Sequence, residues 1–347
     1  MLPYLLVLSF VLLWILLERK TLNRTAFWIP LIALSLFAGM RSSRVGTDSG
    51  TYTRDFRSGL DVYNFQFSEG VEIGYQILEY NLLKVTHNYF WLFFITALIV
   101  AYCYLRIIKK YSANYWFSVF LFLTLGVYTF FFNGLRQGVA MAIFALALPY
   151  LLERKLFPYL LICFLGSLFH TTALFMIPFY FLVNLRVKPF YKIMATFIGS
   201  LFVSSFLINY FAATNKRYES YAEADQDGGG GYLTLGFYAV LLIFTYCIIR
   251  IYNIRDKQFI QLFTFYAIGV VFIIPIAMLG ANPSGPQRLL NYFTWTLVLI
   301  LPVVFKKINN TYVTGLAVII FVIYFVLTTS KFSNLTPYFI NPIFEIV

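Results

Sequence analysis

The amino-acid sequence describes an all-α protein, a polytopic transmembrane helix bundle of about 12 spans within a range of about 10 to 14. Three features lead there. The chain is 61% hydrophobic and 12% charged, with a mean hydropathy of +0.78, far outside the composition of a soluble globular domain. Its apolar runs recur from end to end and are too long and too little alternating for barrel strands. That leaves helices, which satisfy their own backbone hydrogen bonds in lipid. Finally, Lys and Arg alternate by loop. Arg19, Lys20, Arg24, Arg106, Lys109, Lys110, Arg154, Lys155, Arg186, Lys188, Lys192, Arg250, Arg255, Lys257, Lys306 and Lys307 fall on one face, against only Glu18, Glu153 and Asp256. The other face is nearly neutral, so the net charge of +12 reads as a positive-inside signal and not as a nucleic-acid footprint.

Taken in order, Leu2 to Leu17 is a first span with no basic stretch before it, unlike a cleaved signal peptide, and its N-terminus is expected outside. Ala26 to Met40 returns the chain outward into a polar segment, Arg41 to about His87. Within that segment Val71 to Val85 places Val71, Tyr75, Leu78 and Leu82 on one helical stripe and Glu72, Gln76 and Glu79 on another. This is the pattern of an amphipathic helix lying on the outer membrane surface. Spans follow at Asn88–Leu105, Tyr115–Phe132, Arg136–Glu153, Lys155–His170, Thr171–Val183 and Phe190–Ala212. A second polar loop, 213–231, carries four consecutive glycines, and with the first loop it is expected to cover a site. Tyr232–Arg250, Phe259–Leu279, Leu289–Phe305 and Tyr312–Leu327 complete the count and leave the C-terminus outside. The whole of 1–347 reads as a single membrane domain without internal repeats, which argues against a transporter built of repeated halves. Cys103, Cys163 and Cys247 lie in apolar runs with no close pair, so neither a metal nor another cofactor is expected.

The hairpin from Asn133 to Tyr180 holds two unusual residues. From Arg136 to Glu153, and from Lys155 to His170, a helix rises about 22 to 26 Å, so both residues are expected at the same membrane face. A cation at a helix N-terminus opposes the macrodipole, and an Arg fork beside helix N–H groups suits a diphosphate. The plainer readings are a snorkelling Arg136 and a helix-end His170 satisfied by a carbonyl. Asp48, in a Gly/Ser/Thr turn, is either an Asx-type turn residue or a carboxylate for sugar hydroxyls or base catalysis. Glu72 is a first-turn acid or a sugar contact. Arg288, after Pro286, repeats the arrangement of Arg136 and makes a second anion site. Arg217, near Tyr218 and Tyr221, is a further candidate or a solvated loop cation, and the acids Glu219, Glu223, Asp225 and Asp227 do not have the spacing of a calcium loop.

Five stretches, VGTDSGTY (Val45–Tyr52), EIGY (Glu72–Tyr75), LRQGVA (Leu135–Ala140), FHTTAL (Phe169–Leu174) and RLLNYF (Arg288–Phe293), occur in this order over nearly the whole chain. Together they resemble the EpsG-like, Wzy-type bacterial polysaccharide polymerases of O-antigen, capsule or exopolysaccharide synthesis. The resemblance implies a glycosyltransferase of the bacterial inner membrane that joins repeat units carried on undecaprenyl diphosphate. Its expected partners are those lipid-linked oligosaccharides, membrane lipids, and a chain-length regulator and flippase of the same pathway. On this reading Arg136, Arg288 and Arg217 hold the diphosphate, and His170, Asp48 or Glu72 takes the proton. Arg44, Tyr52, Tyr75, Gln137 and Tyr292 contact sugar. A lipid-linked oligosaccharide flippase and a membrane O-acyltransferase are the alternatives. Against the flippase stands the gathering of candidates on one face, where a flippase needs a path through the midplane.

Overall fold

The computed structural model describes residues 1–214, 229–279, 285–333 and 335–344. Its principal helices are α1 (Leu2–Leu22), α2 (Trp28–Gly39), α3 (Ile73–Leu83), α4 (Phe90–Tyr111), α5 (Tyr115–Thr124), α6 (Leu135–Ala145), α7 (Leu156–Ser167), α8 (Ile177–Asn184), α9 (Pro189–Thr214), α10 (Gly229–Ile251), α11 (Lys257–Met278), α12 (Leu297–Ile308) and α13 (Thr311–Leu327). Among the described residues the β pairing is confined to an isolated antiparallel bridge between Arg41 and Ile340. The chain divides into two compact units. One comprises Met1–Leu148, Phe157–Leu174 and Asn310–Val347, the other Pro149–Leu156 and Phe175–Asn309.

All-helical architecture is as expected, and among the described residues the helices long enough to be continuous spans number fewer than about 12. Among the described residues five helices, at α1, α4, α10, α11 and α13, are long and apolar enough to cross a membrane, and Pro286–Thr294 with α12 makes a sixth if that pair, bent by 44°, is one span. Of the other expected spans, Phe190–Ala212 falls within the 26 residues of α9, and several of the rest are helical but short. The 10 to 12 residues of α2, α5, α6 and α7 rise only about 15 to 18 Å each, well under a hydrocarbon thickness of about 30 Å. Local chemistry breaks them. The segment after α5 turns through Gly126 at φ 76°. The expected span Arg136–Glu153 is interrupted at Leu146 and Ala147, between α6 and a short helix at Leu148–Leu152, and Thr171–Met176 is a 3-10 turn ahead of Pro178 in α8.

In the first unit α1 buries Tyr4, Leu8, Val11, Ile15 and Glu18, a single stripe at helical spacing. Glu18 is satisfied by Trp14 Nε1 and Arg24 Nε, both donating at 2.7 Å. Helices α2 and α6 both pack on α4, whose Ala97 and Ala101 are fully buried. The segment 41–87 folds over the ends of these helices as a cap. It buries Tyr52, Phe56 and Tyr75 in one cluster with Tyr89, Leu92, Phe93 and Leu135, and Val71, Leu78 and Leu82 pack against that cluster. The amphipathic helix is therefore present, as α3, but its expected orientation is corrected: the stripe assigned to lipid faces the protein's own aromatic core. Gln76 and Glu79, assigned to water, are 5% and 8% exposed, whereas Ile73 and Ile77 are 47% and 49% exposed. Burial of Gln76 is offset by full bonding: Nε2 donates to the Ser68 and Val71 carbonyls at 2.9 and 2.6 Å, and Oε1 accepts from Ser68 N at 2.7 Å. The C-terminal tail is clipped beneath the cap, Ser42 N donating to Phe339 O at 2.8 Å and Asn341 N to Met40 O at 2.7 Å.

The second unit is built on α11, which is buried along most of its length and packs against α9. Asp256 caps α11 by accepting from Phe259 N at 2.7 Å. A polar chain inside the unit runs from Gln261 Nε2 to Asn184 Oδ1 at 3.2 Å, and from Asn184 Nδ2 to the Leu151 and Tyr180 carbonyls at 3.2 and 3.0 Å.

Candidate functional site

Two glycines seat the cap where its polar residues meet the helix ends. Gly74 donates its amide to Leu168 O at 2.8 Å, and a Cβ there would stand 2.6 Å from that oxygen. Gly46 adopts φ +97°, and a Cβ there would lie 2.5 Å from Phe132 O. Beside it the Thr47 amide donates to Asn133 Oδ1 at 3.0 Å and Ser49 Oγ donates to Phe132 O at 3.1 Å. The GTDS turn is thus docked just ahead of α6, and the start of α3 on the end of α7.

This docking brings together three polar residues that are distant in sequence. Arg136, the second residue of α6, donates from Nη1 to Glu72 Oε2 at 2.5 Å, and Glu72 Oε1 accepts from Thr171 N at 3.2 Å. Arg136 and His170 therefore do return to one place, with Glu72 bridging the first to the residue after the second. The bridge also answers the dipole problem of a cation at a helix start, because the Glu72 carboxylate supplies the anion that the start of α6 favours. Glu72 is not a spare carboxylate: both its oxygens are engaged. The pair is enclosed, with side chains 13% and 14% exposed. Tyr52 stands beside the guanidinium, and the Tyr75 ring centroid is 5.9 Å from Arg136 Cζ. Tyr52 and Tyr75 meet edge to face at 5.7 Å, a contact worth about 0.5 to 1.5 kcal/mol beyond its buried area.

His170 is held through Nδ1, which lies 2.8 Å from Thr172 Oγ1 and accepts from Thr172 N at 3.3 Å. A backbone N–H can only donate, so Nδ1 is the unprotonated nitrogen and the neutral ring carries its proton on Nε2. In this state His170 offers a donor at Nε2, where the sequence pointed to a base.

Glu79 is the residue that sequence reasoning passed over. Burial raises its carboxyl to about 7, with the charge of Asp55 pushing the same way and the Tyr75 hydroxyl, Arg136 and Arg54 opposing. A signal was present in the register of Glu72, Gln76 and Glu79, one polar stripe on the helix that carries Tyr75, but the stripe had been turned toward water. Of the remaining candidates, Asp48 heads the Ser49–Tyr52 turn and is half-buried. Gln137 is 5% exposed on α6, and Arg44 lines a cleft under the cap. Arg288 and Tyr292 belong to the second unit. Arg288 does not repeat the Arg136 arrangement, since Pro286–Leu290 is a 3-10 turn leading through a bend, and Tyr292 is fully buried. Arg217, most of the loop 213–231 and its acid cluster lie outside the described residues. Among the described residues no three His, Cys, Asp or Glu side chains form a metal-ligand set.

A helical protein with several membrane-crossing runs and a polar site enclosed by a folded cap belongs to the multi-pass membrane proteins. The sequence model of the EpsG family matches residues 24–340. The chain belongs to that family and is a polysaccharide-polymerase-like membrane protein. No curated protein and no solved structure matches it.

Proposed function

We propose that the protein is a glycosyltransferase that polymerises polysaccharide repeat units. It moves a growing glycan from undecaprenyl diphosphate to a hydroxyl of a new lipid-linked repeat at the outer face of the bacterial cytoplasmic membrane. The observation that best supports this reading is the Glu72 bridge, which assembles Arg136 and the His170 turn beneath the cap. In a single displacement the acceptor oxygen bonds to the anomeric carbon as the bond from that carbon to the diphosphate oxygen breaks. Negative charge then develops on the leaving diphosphate. The Arg136 fork, braced by Glu72, stabilises it, and each charge-assisted hydrogen bond contributes about 1.5 to 3 kcal/mol. His170 adds a donor from Nε2 to the same group. The acceptor's proton passes to a carboxylate, a step typically worth about 10² to 10⁴ in rate. Asp48, on the docked turn, takes that role, and Tyr52 and Tyr75, packed in the core beside Arg136, hold the guanidinium in place.

The test is to reconstitute the purified protein with lipid-linked repeat units and resolve the products on a gel. Longer lipid-linked glycans should form without ATP or an ion gradient. Movement of the lipids between leaflets with no lengthening of the glycan would make the protein a flippase instead.

A further inference from the structure

A cleft of about 450 Å³ opens in the first unit between the start of the cap and the clipped C-terminal tail, lined by Ser42, Ser43, Arg44, Arg57, Tyr89 and Asn341 among others. Its size is that of small-ligand sites, which run from about 300 to 1,000 Å³. We infer that this cleft is a binding subsite for an oxyanion of the substrate, a carboxylate or phosphate group carried on a sugar or its lipid link.

The argument rests on where charge is and is not matched. In the same segment Arg54 is paired with Asp55 at 3.2 Å, and at the Glu72 bridge Arg136 is paired at 2.5 Å. Arg44 and Arg57 line one cleft, and neither forms an ion pair among the described residues. Arg44 and Arg57 are both exposed, so water screens their repulsion, and an anion entering the cleft gains from both charges at once. Arg57 is oriented by donating Nη2 to Gly50 O at 3.0 Å, which leaves other N–H groups of its fork for a ligand. Part of the lining is buried and bonded into the fold. Ser42 and Asn341 are 5% and 3% exposed and are held by the backbone bonds of the tail clip, and Ser42 Oγ accepts from Arg44 N at 3.3 Å. Tyr89, 7% exposed, adds an aromatic surface of the kind sugar rings pack on. This deepens the proposed function by naming a charged substrate class, and it rests on that reading only for the source of the anion.

Binding to the purified full-length protein, measured by calorimetry at low salt, tests the subsite without requiring polymerisation. Methyl glucuronoside and inorganic pyrophosphate are the anionic probes, and methyl glucoside is the neutral control. At least one anionic probe should bind about tenfold or more tightly than the control. Arg44→Gln, Arg57→Gln and Ser43→Asp should each weaken it about tenfold. Ser43→Asp keeps both arginines and opposes the anion by charge alone, so it decides the matter if an arginine variant fails to fold. Preference for the glucuronoside identifies an acidic sugar as the source. Preference for pyrophosphate that survives Arg136→Gln identifies a diphosphate link. The inference is overturned if methyl glucoside binds as well as either anion, or if anion binding is lost in Arg136→Gln but kept in all three cleft variants. Absence of glycan lengthening, with cleft binding intact, would count against the polymerase reading alone.

Discussion

Glu72 and His170 show how a bond to a neighbour decides what a side chain offers. Glu72 is tied to Arg136 and Thr171, so it positions the guanidinium. His170 has its Nδ1 lone pair engaged by Thr172, so its chemistry is at Nε2. Gln places an amide N–H near the position of Nε2, whereas Asn mimics Nδ1. His170→Gln should therefore retain more turnover than His170→Asn or His170→Ala, and the reverse order would restore the imidazole as base. Glu79 gives a pH prediction. Its carboxyl, raised from 4.5 to about 7 in the folded protein, favours the protonated form there. The associated stability is complete below about 4.5 and is lost as pH rises through about 7. Hydrogen exchange of the cap should therefore speed up across that interval in the wild type beyond its intrinsic pH dependence. Glu79→Gln should remove the excess, and an unchanged excess would place the titrating group elsewhere.

At the scale of elements, α3 was legible as a helix but not in its facing. The stripe of Val71, Tyr75, Leu78 and Leu82 fits a membrane surface and an aromatic core equally well, because both are apolar. What decides is the supply of partners from Phe56, Tyr89 and Phe93, whose convergence no local pattern reports. The meeting of Arg136 with the His170 turn was legible from run lengths even though the runs are broken, because what the hairpin fixes is where its ends lie. The number of spans was less legible, since hydropathy does not register a turn at Gly126 or a break at Leu146. Docking of α3 depends on the missing side chain at Gly74. Gly74→Ala puts a methyl 2.6 Å from Leu168 O and must displace the helix start that carries Glu72. Overpacking of this kind costs about 1 to 3 kcal/mol. Limited proteolysis should cut the cap of the variant faster while the protein still inserts. Wild-type resistance with normal turnover would show that the close approach at Gly74 is dispensable.

For the molecule as a whole, the alternation of basic loops predicts an orientation, and the proposed site is expected to follow it. We expect Lys109, Arg154 and Lys306 to face the cytoplasm, and Asp48, His170 and Arg288 to face outward. Cysteines placed singly at these positions and treated with an impermeant thiol reagent on intact cells should label only at 48, 170 and 288. Labelling at 154 from outside would overturn the orientation and move the site to the wrong face for lipid-linked repeats. Membership of the family was readable from five short stretches in order, and the match over 24–340 agrees with it. The parallel drawn between Arg288 and Arg136 was not sound, because a Pro followed by an apolar run predicts a helix start equally for an α-helix and for the 3-10 turn found at Pro286–Leu290.

The central claim is that the braced Arg136 fork carries the transition state of glycan transfer. It is tested most directly by the turnover of purified, reconstituted Arg136→Lys, normalised to folded protein. Lysine keeps the charge but loses the planar fork that meets Glu72 and a diphosphate together. Loss of that geometry should cost a few kcal/mol, hence roughly 10² to 10³ in rate at about 1.4 kcal/mol per tenfold. A rate within about twofold of wild type would contradict the account, reducing Arg136 to a point charge and the Glu72 bridge to packing.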